Sequence, residues 1–104
     1  MKPSKYRAVK TVVDGVTFAS KREAARYLEL KLMERGGIIS DLHLQEPYAM
    51  VVNGVKICKY YADFVYMEAG QLVCEDVKGM RTQVYNLKKR LMQACHGITI
   101  REVK

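Results

Sequence analysis

Apolar residues along this chain recur at two periods, and the changes between them mark out the elements. "TVVDGVTF" (11–18) reads as two short β runs around Asp14-Gly15, a two-residue hairpin signal. "SKREAARYLELKLMERGG" (20–37) shifts to a helical period. Ser20 with Glu23 three residues on fits a capping box. Ala24, Tyr27, Leu28 and Leu32, with Ala25 and Met33 at the edge, form the expected apolar stripe, and Gly36-Gly37 stops the helix. "IISDLHLQEPYAMVV" (38–52) returns to alternation at Leu42 and Leu44, with a break expected at Pro47 and a second short strand after it. Asn53-Gly54 marks a hairpin turn. "VKICKYYADFVYM" (55–67) is a long β run, Ala69-Gly70 another turn, and "QLVCEDVKG" (71–79) the returning strand. Thr82 is placed to cap a second helix, "QVYNLKKRLMQAC" (83–95). Its expected inner face is Val84, Leu87 and Leu91, with Lys88, Lys89 and Arg90 largely outward. Gly97 fits its C-terminal cap, and "ITIREV" (98–103) alternates as a final strand.

This order predicts an α/β fold: a helix, a three-stranded meander, a helix and a strand, with a mixed β-sheet flanked by the helices. The second helix can serve as the crossover to the last strand. A length of 104 residues suits one domain, expected over residues 11–104 after a flexible basic arm at 1–10. No run approaches the roughly 20 apolar residues needed to span a bilayer, and "MKPSKYRAVK" lacks the apolar segment of a secretory signal. A cytoplasmic protein without a membrane partner is expected.

Charge narrows the partner. Eighteen Lys and Arg against eleven acids give +7, which favours a polyanion, most simply nucleic acid. The basic residues cluster: Lys2, Lys5, Arg7 and Lys10; Lys21, Arg22 and Arg26; Arg81, Lys88, Lys89 and Arg90. That distribution suits phosphate contacts. Cys58, Cys74 and Cys95 are an odd number without CxxC spacing and read as small core hydrophobes rather than zinc ligands.

The chemistry concentrates in "CEDVKGMRT" (74–82), where Glu75, Asp76 and Lys78 interrupt a strand whose neighbours are apolar. Alternation puts Asp76 and Lys78 on one face and Glu75 with Val77 on the other. A two-residue loop at Ala69-Gly70 pairs Glu68 with Gln71, and that register brings Asp63 opposite Asp76. Directly opposed residues have Cβ atoms about 4.5–5.5 Å apart, where like charges destabilise a sheet. A divalent cation resolves the conflict, since Mg²⁺ binds through one or two carboxylates, keeps several waters and takes phosphate oxygens as other ligands. A nearby lysine can stabilise developing negative charge. The plainer alternative is a strand-surface salt bridge from Asp63 to Lys59 or Lys78. The apolar neighbours Tyr61, Phe64, Val65, Val73 and Val77 weigh against it, because unneeded charge on a covered sheet is costly.

"YAD" (61–63) followed after a hairpin by "EDVKG" (75–79) resembles the PD-(D/E)XK nuclease signature, with Asp63 as its first Asp and Asp76-Val77-Lys78 as (D/E)-X-K. Ala62 stands where Pro is usual, and Asp76 where Glu is commoner. Over about residues 5–103, the succession "KY", "VVDG", "TF", "SK", "EA", "RY", "LQ", "ADF", "EDVKG" and a basic helix is similar to small phage- and prophage-encoded proteins grouped with phage endonuclease I and other Holliday junction resolvase-like enzymes. The resemblance implies a restriction-endonuclease-like core and a Mg²⁺- or Mn²⁺-dependent DNA endonuclease. Asp63 and Asp76 would bind the metal, Lys78 would assist the attacking water, and Glu23 would supply a further acid; a capping role for Glu23 fits its position equally. It further implies branched DNA as substrate, action in a bacterial host cell, and a homodimer, the commonest oligomer in any case.

Lys21 and Arg22 on the first helix, and Arg81, Lys88 and Lys89 after the signature, are the expected DNA contacts. Gln45 is either a site residue on a neighbouring strand or, the reading slightly preferred, an ordinary polar residue flanking a turn. Tyr60, Tyr61 and Tyr66 read as core or edge-strand residues ahead of base-stacking ones. Two alternatives stand beside the enzyme: a non-catalytic nucleic-acid-binding module keeping the same fold, and a small interaction protein with a merely basic surface. Steeply salt-dependent DNA affinity separates the last from the others.

Overall fold

Three two-residue turns lay out the strands. Asp14-Gly15, Asn53-Gly54 and Ala69-Gly70 have φ of 52° and 75°, 51° and 76°, and 52° and 78°. Positive φ at both positions is the type I′ turn, whose twist matches paired strands. The computed structural model describes residues 10–77 and 81–104. Within them the turns join β1 (Thr11–Val13) to β2 (Val16–Phe18), β3 (Ile39–Val52) to β4 (Val55–Glu68), and β4 to β5 (Gln71–Val77). Helix α1 (Lys21–Arg35) follows β2; α2 (Gln83–His96) and β6 (Arg101–Val103) complete the chain. Most of the expected N-terminal arm, with Lys2, Lys5 and Arg7, and the signature lysine Lys78 lie outside the described residues.

β1 and β2 form a separate hairpin. The main sheet runs β3-β4-β5-β6. Its first three strands are antiparallel, and β6 lies parallel to β5 with α2 as the crossover. Both helices start at the expected caps: Ser20 Oγ accepts from the Glu23 N–H at 3.1 Å and Thr82 Oγ1 from the Tyr85 N–H at 3.0 Å. The C-cap Gly97 ends α2 at φ 66°. No helix among the described residues is long and apolar enough to cross a membrane.

Two apolar cores sandwich the sheet. Under α1 lie Phe18, Ala24, Tyr27, Leu30, Ile39, Phe64, Tyr66 and Val73. Under α2 lie Met50, Tyr60, Ala62, Val65, Cys74, Tyr85, Met92 and Ile100. Cys74 is buried in this second core, and Cys58 and Cys95 pack against that core as partly buried hydrophobes. Val73 and Cys74 show the β5 alternation that serves both layers.

Three sequence expectations are corrected. The inward face of α1 is Glu23, Ala24, Tyr27 and Leu30, while Leu28 and Leu32 are exposed. Apolar residues occur almost all round this helix, and its buried face includes an acid, so counting apolar positions favours the wrong side. On α2, Tyr85 and Met92 face inward and Val84 and Leu87 outward, because the Tyr85 ring packs into the core while its hydroxyl reaches Glu102 Oε2 at 2.9 Å. Pro47 does not break β3. It pairs opposite Tyr61 within one continuous strand, and β3 is a sheet edge, where a residue without an N–H is tolerated.

The alternation of the sheet carries one irregularity. On β4, Tyr60 and Ala62 pack under α2, whereas Phe64 and Tyr66 pack under α1. On β3, Tyr48 and Met50 belong to the α2 side and Leu44 and Leu42 to the α1 side. The alternation therefore shifts by one residue on both strands at the same level. Leu44 pairs with Phe64 and Glu46 with Ala62, so the residues at that step are Gln45 and Asp63.

Candidate functional site

The register across the Ala69-Gly70 turn is the expected one. Glu68 pairs with Gln71 and the ladder runs to Phe64–Glu75, leaving Asp63 and Asp76 as the next opposed residues. Asp63 turns one oxygen to the end of β5, where Oδ2 accepts the Val77 N–H at 2.9 Å. Asp76 is 3 % exposed and accepts the Tyr60 hydroxyl on Oδ2. Burial, and then that bond, push the Tyr60 hydroxyl far above the ordinary phenol range, so it stays protonated and donating.

Glu23 joins them from α1. The Ser20 cap fixes its backbone, and its side chain turns inward. Gln45 Nε2 lies 3.3 Å from Glu23 Oε2 and 3.2 Å from Asp63 Oδ1. Glu23, Asp63 and Asp76 line one open cavity of about 440 Å³, with Ser20, Tyr60, Tyr61, Val77, Thr82, Tyr85 and Lys88 among its other walls. Burial, Asp76 and Glu23 push the Asp63 carboxyl up to about 7, against the bonds from Val77 and Gln45 that hold it down. The site is a place where negative charge is crowded and neutralisation is favoured.

Its neighbour in sequence has a different occupation. Glu75 is fully buried on the opposite face and held by Arg26, with Nε to Oε1 at 2.9 Å and Nη2 to Oε2 at 2.6 Å. The Tyr66 hydroxyl donates to Oε2 as well. Of the two adjacent acids, one is therefore locked in an ion pair beneath α1 and the other faces the cavity.

Among the described residues no three His, Cys, Asp or Glu side chains are grouped as a ready-made metal cage. The carboxylates at the cavity nevertheless match the minimal protein share of a Mg²⁺ site: hard oxygen donors, one or two in direct contact, with room for water and a phosphate oxygen.

The expected basic contacts divide. Lys88 lines the cavity. Lys21 and Arg22 are exposed in the first turn of α1, one and two residues from Glu23. Arg81 and Lys89 instead converge on Glu102 of β6: Lys89 Nζ is 3.0 Å from Oε2, and Arg81 Nη2 bonds Oε1. Tyr60 and Tyr66 are core residues, and Tyr61 is exposed beside the cavity. Gln45 lies at the site, against the turn-flanking reading. Register counted from the turn misplaces it: Asn53-Gly54 would set Gln45 opposite Ala62, and the bulge between Met50 and Val51 moves it opposite Asp63.

A family model described as "Protein of unknown function (DUF1064)" matches residues 3–104. No curated protein and no solved structure matches the chain.

Proposed function

The chain belongs to the DUF1064 family, and we propose that this member is a divalent-metal-dependent DNA endonuclease. The observation that carries this reading is the convergence of Glu23, Asp63 and Asp76, from a helix and two adjacent strands, on one cavity of a protein with net charge +7. A binding-only protein gains nothing from carboxylates turned toward a phosphate. The PD-(D/E)XK resemblance adds support, because the meander, crossover helix and parallel strand occur in the order of a restriction-endonuclease-like core.

Asp63 and Asp76 would hold Mg²⁺ or Mn²⁺, and Glu23 would bind it directly or through water. Bound there, the ion would supply Lewis-acid polarisation of a phosphoryl oxygen and a water of lowered pKa. Tyr60 fixes the orientation of Asp76, and the Val77 N–H that of Asp63. Lys88 on the cavity wall offers charge to the phosphate, and Lys78 assists the attacking water. Lys21 and Arg22 contact the DNA backbone beside Glu23. Branched DNA handled during phage DNA processing in a bacterial cytoplasm is the substrate the resemblance favours, with two copies of the chain cutting two strands.

The test is a nicking assay on labelled four-way junction, linear duplex and single-stranded DNA, with Mg²⁺, Mn²⁺ or EDTA, comparing wild type with Asp76→Ala. Losing several kcal/mol of charge stabilisation corresponds to a drop of about 100-fold or more. Metal-dependent cleavage lost in the variant supports the enzyme. Absence of cleavage by folded wild type, with salt-sensitive binding retained, overturns it and leaves a nucleic-acid-binding module.

A further inference from the structure

Gln45 is held in a conformation its residue type disfavours. Its φ of 51° lies in the left-handed region, where Asn and Asp are enriched and longer side chains are uncommon. No turn requires this: Gln45 lies inside β3, at the step where both strands change faces. Backbone strain of this kind persists only where surrounding structure enforces it. What the conformation achieves is aim. The amide of Gln45 reaches across to Asp63 on β4 and to Glu23 on α1, with one nitrogen 3.2 and 3.3 Å from their carboxylates.

We propose that Gln45 is a positioning residue that gathers Glu23 and Asp63 into a preformed cation site, the strained β3 backbone being retained for that purpose. The proposal rests on the metal-dependent reading of the same cavity. Two carboxylates on different elements repel and would swing apart toward water. An amide NH₂ has two hydrogens, one for each, and no charge of its own. Partners that orient ligating groups in this way are commonly worth 10–100-fold in metal affinity.

The chemistry also fixes the residue. Asn fits the left-handed backbone better but is one methylene shorter. Met keeps the length and has no donor.

The experiment measures Mn²⁺ binding to the full chain by electron paramagnetic resonance of the free ion, for wild type, Gln45→Asn and Gln45→Met. Thermal melts of the metal-free proteins accompany it. The expected result is that both variants lose about 10–100-fold in Mn²⁺ affinity while metal-free melting is unchanged in Gln45→Met and unchanged or raised in Gln45→Asn. Removing the donor also leaves more negative charge unscreened, which alone would tighten cation binding. Equal or tighter Mn²⁺ binding in the variants therefore overturns the proposal. So does a fall in metal-free stability of both variants, which would make the bridge a packing device. Wild type that binds no Mn²⁺ overturns the metal reading itself, a result separate from any difference among the three proteins.

Discussion

Arg26→Ala should cost this protein much of its stability, although Arg26 is a helix cation that does not line the cavity. The Glu75 side chain is 0 % exposed, and that of Arg26 18 %. The guanidinium meets the carboxylate with two nitrogens, at 2.9 and 2.6 Å. Truncating Arg26 leaves a carboxylate buried beneath α1 among Phe64, Tyr66 and Val73 with its cation gone. Removing one member of a buried pair costs about 3–5 kcal/mol, mostly for the stranded charge. A domain of this size has about 5–15 kcal/mol in total, and each kcal/mol moves its melting temperature by about 4–8 °C. The variant should melt at least about 12 °C below wild type, read by circular dichroism with urea titration for the free energy. A companion variant separates burial from simple charge loss. Arg26→Met with Glu75→Leu removes both charges and should recover most of the loss, since apolar replacements of buried pairs are often neutral or better. A cost below about 1 kcal/mol for Arg26→Ala, the value of a surface pair, would refute the reasoning. So would a double variant as unstable as the single one.

The remaining expectations concern the cavity and its basic rim. Asp63 has its folded pKa raised to about 7 against about 3.9 unfolded, so its protonated form favours the fold. Metal-free stability from this group is intact below about pH 4 and is lost as pH rises through about 7. Asp63→Asn should therefore be about 1–2 kcal/mol more stable than wild type at pH 8, after solvent screening, and no different at pH 4; equal gains at both would contradict the assignment. Glu102→Gln should release Arg81 and Lys89, steepening the log–log salt dependence of duplex binding by up to about 2, whereas Lys88→Ala should flatten it by about 1. Fluorescence anisotropy across a salt series reads both, and unchanged slopes would remove these lysines and Arg81 from the DNA contact surface.

Much of the backbone was legible because it is encoded in adjacent residues. The three turn dipeptides, the Ser20 and Thr82 caps and Gly97 are local signals, each settled within a few positions. The opposition of Asp63 and Asp76 followed from counting back from Ala69-Gly70, since β4 and β5 stay in register along that stretch. What failed depends on distant partners. Leu28, Leu32, Val84 and Leu87 have the composition of inner faces but turn outward, because Glu23 and Tyr85 take the inward places for polar reasons. The pairing of Glu75 with Arg26 spans 49 residues, and that of Glu102 with Arg81 spans 21. Gln45 was obscured by Pro47, whose tolerance depends on β3 being an edge, and by the bulge between Met50 and Val51, which shifts by one the register counted from Asn53-Gly54.

The shift of alternation at Gln45 and Asp63 makes the site a seam. Glu23 belongs to the helix over one core, Asp76 shares its face with the other, and Asp63 sits where β4 passes between them. The two cores share the strands of one sheet, and local opening on one face need not be matched by opening on the other. A ligand gripping all three carboxylates spans the boundary. It binds only when both halves are closed, so it stabilises their joint closure by mass action. Occupation of the cavity should then slow hydrogen exchange on the α1 side and the α2 side together.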